Sequence, residues 1–234
     1  MMDLSKRSEE PEIMDDLKME GPELRKTLDL LARINQWLGG NSVILNGVKK
    51  LLQSHSSDQV IRIIDLGCGN GDMLRQLNVM ATDLGYSVKL LGIDANSDAI
   101  EYAKELSVGI DNLEFSAINI FSEEFKAMEY DIALSTLFLH HFTDAQISEF
   151  LPGVERQAST GVIVNDLQRS YIAHGLFWVI SLFFNNPVAR EDGLISIRKA
   201  FRRKDLERYA DQFASDSSIV WRWAFRYQWI IRKK

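Results

Sequence analysis

Apolar strands and amphipathic helices alternate through the middle of this 234-residue chain. A buried strand is predicted over 59–66 and a helix over 72–84, and the same pair of elements recurs until a fifth strand at 161–165. Strands that alternate with helices in this way are joined by right-handed crossovers and form a mainly parallel sheet with helices on both faces. The alternation therefore predicts an α/β fold. The predicted strands are 59–66, 87–93, 113–118, 131–135 and 161–165, and the helices between them are 72–84, 97–106, 122–128 and 144–157.

The N-terminal part of the chain precedes the first strand and has a different pattern. The first ten residues are polar and are predicted to be disordered. Helical spacing of apolar residues predicts a helix over 22–38, which a Gly-Gly pair ends, and Ser42 is a suitable N-cap for a second helix that reaches about residue 54. We therefore expect an N-terminal helical lid over residues 1–56.

The C-terminal part breaks the alternation after the fifth strand. Two helices and then two strands are predicted there, over 170–184, 203–213, 218–223 and 225–231. Because almost no linker joins the two strands, they must be antiparallel. The sequence thus predicts one domain over 57–234, with a helical cap inserted at 167–215.

Composition and charge exclude several classes of protein. The formal net charge of −6 argues against a general nucleic-acid-binding surface. The single cysteine, Cys68, permits neither an intramolecular disulfide nor a cysteine-based zinc site. The first residues lack the layout of a secretory signal peptide, and the longest apolar run, at 176–184, is too short to span a bilayer. We therefore expect a cytoplasmic protein, monomeric or homodimeric, without an integral membrane segment.

A glycine-rich turn connects the first strand to the first helix of the alternating region. It reads Asp65-Leu66-Gly67-Cys68-Gly69-Asn70-Gly71. Glycine allows a tight turn and a close approach of the backbone to a ligand, and the amides at the start of the following helix face such a ligand. A plain strand-to-helix connection has the same appearance, so the turn needs support from its surroundings.

An acid at the end of the next strand supplies that support. Asp94 follows the glycines by about 20 residues, where a carboxylate accepts hydrogen bonds from ribose hydroxyls. The alternative, a helix cap, is already provided by Ser97 and Asp98. NAD and S-adenosylmethionine (SAM) both contain such a ribose. The dinucleotide pattern is G-x-G-x-x-G, whereas this turn reads D-x-G-x-G-x-G, and an acid such as Asp65 repels a pyrophosphate but suits an ammonium group. An NAD-dependent reductase is therefore disfavoured.

The stretches "IIDLGCGNG" and "LLGIDAN" resemble two signatures of the class I SAM-dependent methyltransferases, and the resemblance covers about residues 58–165. It implies SAM as the cofactor and a Rossmann-like, seven-stranded, mostly parallel sheet in the order 3-2-1-4-5-7-6, with the last strand antiparallel. In that family the glycine turn contacts the amino-acid portion of SAM and the later acid holds the ribose. The matching cofactor-binding residues are Asp65, Gly67, Cys68, Gly69, Asn70, Asp94, Ala95 and Asn96.

Two further stretches complete the donor site that the resemblance implies. In "SAINIFS", Asn119 stands where the family often has an acid that holds the adenine amino group, and its side-chain oxygen can still accept a hydrogen bond. Ile120 would pack on the adenine ring. Ser135, Thr136 and Leu137 follow the fourth strand and should line the methionine end.

Three polar residues are candidates for the chemistry. His140 and His141 follow the fourth strand and Asp166 follows the fifth, so they are expected at the carboxyl edge of the sheet, where ligands of such folds bind. Histidine titrates near neutrality, so either histidine could orient or deprotonate an acceptor hydroxyl. The alternative is that a histidine packs against the following helix. No second acid accompanies Asp166 at metal-ligand spacing in the sequence, and no metal is predicted.

The apolar cap indicates the kind of acceptor. The predicted substrate-pocket residues are Trp37, His174, Phe177 and Trp178, although the aromatics could equally be ordinary core residues. "NDLQRS" followed by "EDGLISIRKAF" resembles methyltransferases found near bacterial polyketide and quinone pathways. The sequence therefore predicts methyl transfer to a small apolar or aromatic metabolite and no nucleic-acid partner, most simply O-methylation of a phenolic or polyketide hydroxyl. C-methylation of a quinone-like ring and a SAM-binding regulatory module without methyl transfer are the alternatives.

Overall fold

A computed structural model describes residues 3–56 and 58–233 of the chain. Its strands form one seven-stranded sheet in the order β3-β2-β1-β4-β5-β7-β6, with β7 antiparallel to both neighbours. This arrangement confirms the predicted fold class and strand order. The strands are β1 (Val60–Leu66), β2 (Ser87–Asp94), β3 (Leu113–Ala117), β4 (Tyr130–Thr136), β5 (Ala158–Leu167), β6 (Asp216–Arg222) and β7 (Arg226–Arg232).

Nine α-helices are present in the described part of the chain, together with two single 3₁₀ turns at Ile13–Asp15 and Leu139–His141. The helices are α1 (Gly21–Trp37), α2 (Gly40–Leu52), α3 (Asp72–Asp83), α4 (Ser97–Leu106), α5 (Glu123–Lys126), α6 (Asp144–Gln157), α7 (Tyr171–Ser181), α8 (Pro187–Lys199) and α9 (Arg203–Ala210). Among these residues no helix is long and apolar enough to cross a membrane. The expected location in the cytoplasm and the oligomeric state stay predictions.

Two apolar clusters cover the two faces of the sheet. On one face α2, α3 and α4 pack through residues such as Leu51, Leu74 and Ile100, and on the other α6 and α9 pack through residues such as Ile147 and Leu206. Burial of each such side chain contributes about 1.5–3 kcal/mol relative to its exposure. The faces are therefore occupied by core, and a ligand must approach the carboxyl edge of the parallel strands.

The N-terminal segment corrects the prediction of disorder. Leu4 is fully buried, and the Arg7 side chain donates hydrogen bonds to the backbone oxygens of His140 (3.0 Å), Phe142 (2.8 Å) and Lys199 (2.7 Å). These partners lie more than a hundred positions away in the chain, so local composition carried no sign of them. Residues 1 and 2, like the predicted domain limits at 57 and 234, fall outside the described residues.

The start of the second helix and the structure of the cap also differ from expectation. Helix α2 begins at Gly40, and Ser42 lies inside it with its hydroxyl donating to the Gly39 carbonyl oxygen at 2.6 Å instead of capping the helix. The region 167–215 contains three helices, α7, α8 and α9, instead of the predicted two, because Asn186 caps an additional helix, α8, that Pro187 begins. Strand β5 extends to Leu167, so Asp166 lies in the strand and not after it.

Candidate active site

A cavity of about 810 Å³ lies at the carboxyl ends of β1, β2 and β4. The glycine turn and the end of β2 form one side of it, and the N-terminal segment, α7 and α8 form another. Its volume is within the range of small-molecule sites, and most of its lining side chains are apolar. We distinguish two halves of the cavity. The donor half lies beside the glycine turn, where the sequence predicts the methyl donor, and the acceptor half lies beside His140 and the cap, where it predicts the methyl acceptor.

The glycine turn has a backbone that only glycine adopts without strain. Gly67, Gly69 and Gly71 have φ values of 69°, 51° and 75°. A Cβ on Gly67 would lie 2.2 Å from Cδ2 of Phe138, and one on Gly71 would lie 2.5 Å from Cζ of Phe115. The turn therefore presents backbone, not side chains, to the cavity.

Asp65 faces the cavity with an unsatisfied carboxylate oxygen. The residue is 1% exposed, and Oδ1 has no hydrogen-bond partner within the described residues. Burial raises the pKa of Asp65 to about 8, and the nearby charge of Asp94 adds to the effect. A buried carboxylate in this state is suited to a cationic ligand group, which would supply the missing partner and favour ionisation.

Asp94 is oriented by the backbone around it. Its Oδ2 accepts a hydrogen bond from the Gly69 amide at 3.1 Å and its Oδ1 accepts one from the Asn96 amide at 3.0 Å. Burial raises the pKa of Asp94, while these two amides oppose the increase. Each oxygen keeps a further lone pair, so the carboxylate can still accept hydrogen bonds from a ligand in the cavity that it lines.

Most of the other predicted donor-site residues also line the cavity, but Ser135 does not. Ser135 is buried within β4, and successive strand residues point to opposite faces, so Thr136 reaches the cavity instead. Burial raises the pKa of the Cys68 thiol, which excludes a reactive thiolate. The further predicted residues that line the cavity are Gly67, Cys68, Gly69, Asn70, Ala95, Asn96, Asn119, Ile120, Thr136 and Leu137.

His140 and Asp166 form a buried pair. The distance between His140 Nδ1 and Asp166 Oδ1 is 2.6 Å, and Asp166 Oδ2 accepts the His140 backbone amide at 3.1 Å. Burial acts to raise the pKa of Asp166, but the histidine charge and these hydrogen bonds outweigh it and the pKa is lowered. When the imidazole is neutral, this hydrogen bond favours the tautomer with the proton on Nδ1, in which Nε2 is an acceptor. His140 lines the cavity, and its Nε2 has no hydrogen-bond partner among the residues described.

His141 belongs to a separate cluster of charged groups. Its Nδ1 lies 2.6 Å from Asp15 Oδ1, and although burial acts to lower the pKa of His141, this bond and the charges of Glu12 and Asp15 raise it. Lys199 Nζ lies 3.2 Å from Glu12 Oε1 and 3.1 Å from Asp15 Oδ2. His141 therefore makes a short ion pair with the N-terminal segment, whereas His140 Nε2 lies 3.8 Å from Glu12 Oε1 of that segment, beyond hydrogen-bond distance.

Glu12 bears on the prediction that no metal is bound. Glu12, His140 and His141 each offer one ligand atom, and these atoms lie within 4.8 Å of one another. The sequence argument missed Glu12 because it lies between the first ten residues and the helix predicted from residue 22, where no pattern was recognised. The ammonium of Lys199 already occupies the position of a cation beside Glu12, so the absence of a metal stays our expectation.

The structure places only one of the four predicted substrate-pocket residues in the cavity. Phe177 lines it, but Trp37 is 79% exposed and Trp178 is 48% exposed. His174 borders a different, smaller cavity with Lys6 and Arg198. Trp37, His174 and Trp178 thus lie outside this cavity, and their part in binding a substrate stays a prediction. Cavity residues that the sequence did not indicate include Glu12, Met14, Leu17, Asn35, Phe138, Trp223 and Arg226.

Comparisons with known proteins agree with this fold. The family model described as methyltransferase domain matches residues 57–166. A protein-lysine N-methyltransferase of Saccharomyces cerevisiae, EFM4, is 31% identical over 140 residues, which are 58% of this chain and 55% of the yeast protein. The chain thus aligns with about half the length of that relative.

Solved structures extend the likeness to nearly the whole chain. The plantazolicin methyltransferase BpumL in complex with SAH superposes with a TM-score of 0.64 at 16% identity, covering 91% of both chains. The CurJ carbon methyltransferase superposes with a TM-score of 0.62 at 12% identity, covering 82% of this chain and 53% of that one. At such identities these likenesses concern the fold. The family match adds that residues 57–166 are similar to a methyltransferase domain.

Proposed function

We propose that this protein transfers a methyl group from SAM to a hydroxyl group of a small apolar or aromatic acceptor. The observation that carries the proposal is the His140–Asp166 pair, whose Nε2 has no partner and lies at a largely apolar cavity. The same cavity contains the glycine turn and two buried carboxylates that fit the donor.

The donor half fits SAM in three respects. The unpartnered Oδ1 of Asp65 suits the ammonium of the amino-acid portion, and Asp94 has lone pairs for ribose hydroxyls. Gly67 and Gly69 of the turn line the cavity, so the backbone there can approach a ligand closely. SAM supplies a methyl group already activated on a sulfonium sulfur.

The acceptor half supplies the proton acceptor that methyl transfer to a hydroxyl requires from the protein. A hydroxyl becomes a better nucleophile when its proton is accepted, and His140, which lines the cavity, has in Nε2 a nitrogen without a hydrogen-bond partner among the described residues. Asp166 keeps the other ring nitrogen protonated and stabilises the imidazolium that forms. Phe138, Phe177 and Ile197 line the cavity and provide apolar walls that limit the access of water to the acceptor.

A lysine side chain of a protein is a second candidate acceptor. The yeast relative is named a protein-lysine N-methyltransferase, and Glu12 and Asp192 place acidic groups at the cavity. The apolar walls and the ion pair that Lys199 already makes with Glu12 favour the small acceptor.

The test is transfer from methyl-labelled SAM to panels of phenols, quinones and lysine peptides. We expect label on a phenolic oxygen, with transfer reduced in the variant His140→Gln. Label only on lysine or only on ring carbon would contradict O-methylation. SAH binding without transfer to any acceptor would contradict the enzyme and support a regulatory module.

A further inference from the structure

Two arginine side chains are buried in this protein, and they differ in their partners. Arg169 is 3% exposed and Arg226 is 2% exposed. Arg169 donates to Asp205 Oδ2 at 3.0 Å, to the Leu4 carbonyl oxygen at 3.1 Å and to the Ala200 carbonyl oxygen. Its charge is therefore compensated within the fold, and it does not line the main cavity.

Arg226 has no such compensation. Its Nη1 donates to Asn35 Oδ1 at 2.8 Å, but its Nε is buried without a partner among the described residues. Asp166 is the acid that acts on Arg226 electrostatically, yet its Oδ1 already accepts from His140 and from the Leu167 amide. A buried guanidinium without a paired carboxylate is costly, which suggests that an anion completes it.

The position of Arg226 indicates where that anion is. Arg226 and Asn35 both line the main cavity, at the start of β7 and near the end of α1. Burial lowers the pKa of Arg226 to about 10, so the side chain remains charged at neutral pH. The unpartnered Oδ1 of Asp65 lines the same cavity. A ligand in the cavity that carries both an ammonium and a carboxylate would compensate the charges of both residues.

We propose that Arg226, held by Asn35, is a carboxylate-binding residue, and that it binds the amino-acid carboxylate of SAM. This inference rests on the proposed function. An acid group on the acceptor has the same chemistry, so the experiment distinguishes the two sources. If Arg226 binds this carboxylate, the affinity of the protein for SAM depends on the amino-acid end of SAM.

The test compares two nucleosides by titration calorimetry. SAH has the amino-acid end, whereas 5′-methylthioadenosine shares the nucleoside and lacks it. In Arg226→Met we expect SAH affinity to fall by about tenfold or more and methylthioadenosine affinity to change less than about threefold. Arg226→Lys keeps the positive charge, so its affinity for SAH should fall less than that of Arg226→Met. Arg226→Met should also unfold at no lower temperature than the wild type, because it removes an unpaired buried charge.

Arg169→Met is the matched control, since it removes a paired buried charge and should lower the melting temperature.

If both nucleosides lose affinity equally in Arg226→Lys and Arg226→Met, Arg226 is structural and the inference is overturned. If SAH affinity is unchanged but KM rises for an acceptor acid and not for its amide, the subsite stands and its carboxylate comes from the acceptor. If SAH affinity and acceptor KM are both unchanged, the subsite is overturned. Wild-type protein that binds neither nucleoside contradicts the proposed function instead.

Discussion

The donor half and the acceptor half of the cavity are assembled in different ways. Most of the donor half comes from one short stretch, 65–96, in which the Gly69 amide donates to the Asp94 side chain and so joins the glycine turn to the strand end, and the ends of β3 and β4 complete it. The acceptor half combines the N-terminal segment, the turn at Leu139–His141, α7 and α8, joined by side-chain contacts such as His141 to Asp15. A local motif therefore defines the donor, while the acceptor depends on contacts between distant parts of the chain.

The sharpest separation of the two halves is expected from His140→Gln. Loss of the proton acceptor should lower kcat by about 10²–10⁴-fold, because general-base catalysis typically contributes that much. SAH affinity should change less than about threefold, since His140 is not in the donor half. Single-turnover rates and calorimetry on the same preparation measure the two quantities. His141→Gln is the matched control, and an equal loss of kcat there would show that the His140–Asp166 pair is not the base.

A pH titration of SAH binding tests the donor half. Asp65 must ionise to accept an ammonium group, and burial raises its pKa to about 8, so few molecules are competent at pH 6. Affinity should therefore increase by about tenfold per pH unit between pH 6 and pH 8 and then level off. Asp65→Asn should bind weakly with a flat profile. A wild-type affinity that falls over this pH range would contradict the assignment.

Asp94→Asn should affect the donor half alone. It removes the charge from the hydrogen bonds to ribose, which should weaken SAH binding by about tenfold to a hundredfold while kcat at saturating SAM stays near the wild-type value. Calorimetry and initial rates give the two numbers. Asp83→Ala, an exposed acid on α3, is the control. Equal loss of kcat and affinity would mean that Asp94 supports both halves.

The smallest effect is expected in the apolar wall of the acceptor half. Phe177→Ala should raise KM for an apolar acceptor by about tenfold, because the ring lines the cavity. Trp178→Ala should leave KM within about twofold, since its side chain is largely outside the cavity lining. Initial rates against acceptor concentration distinguish them. A larger increase in KM for Trp178→Ala than for Phe177→Ala would contradict this assignment and indicate that Trp178 contacts the acceptor.

The same contrast explains how much the sequence could predict. Periodic strands and helices, the glycine turn and Asp94 are encoded locally, so the sheet order and the donor half followed from the pattern and the resemblance. Glu12 and Arg226 had no local signal, because their partners, Lys199 for one and Asn35 for the other, lie more than 180 positions away. The sequence could not show that His174 and Trp178 lie outside this cavity, because their helix is apolar nearly all round and its pattern does not specify which side meets the cavity.

A crystal structure of the protein with SAH and a phenolic acceptor tests the central claim most directly. The account predicts the amino-acid end of SAH beside Asp65, its ribose on Asp94, and the phenolic oxygen within about 3.2 Å of His140 Nε2. A complex with the donor in place but the phenolic oxygen bound away from His140 would contradict the proposed acceptor half. A nucleoside bound away from the glycine turn would contradict the whole account.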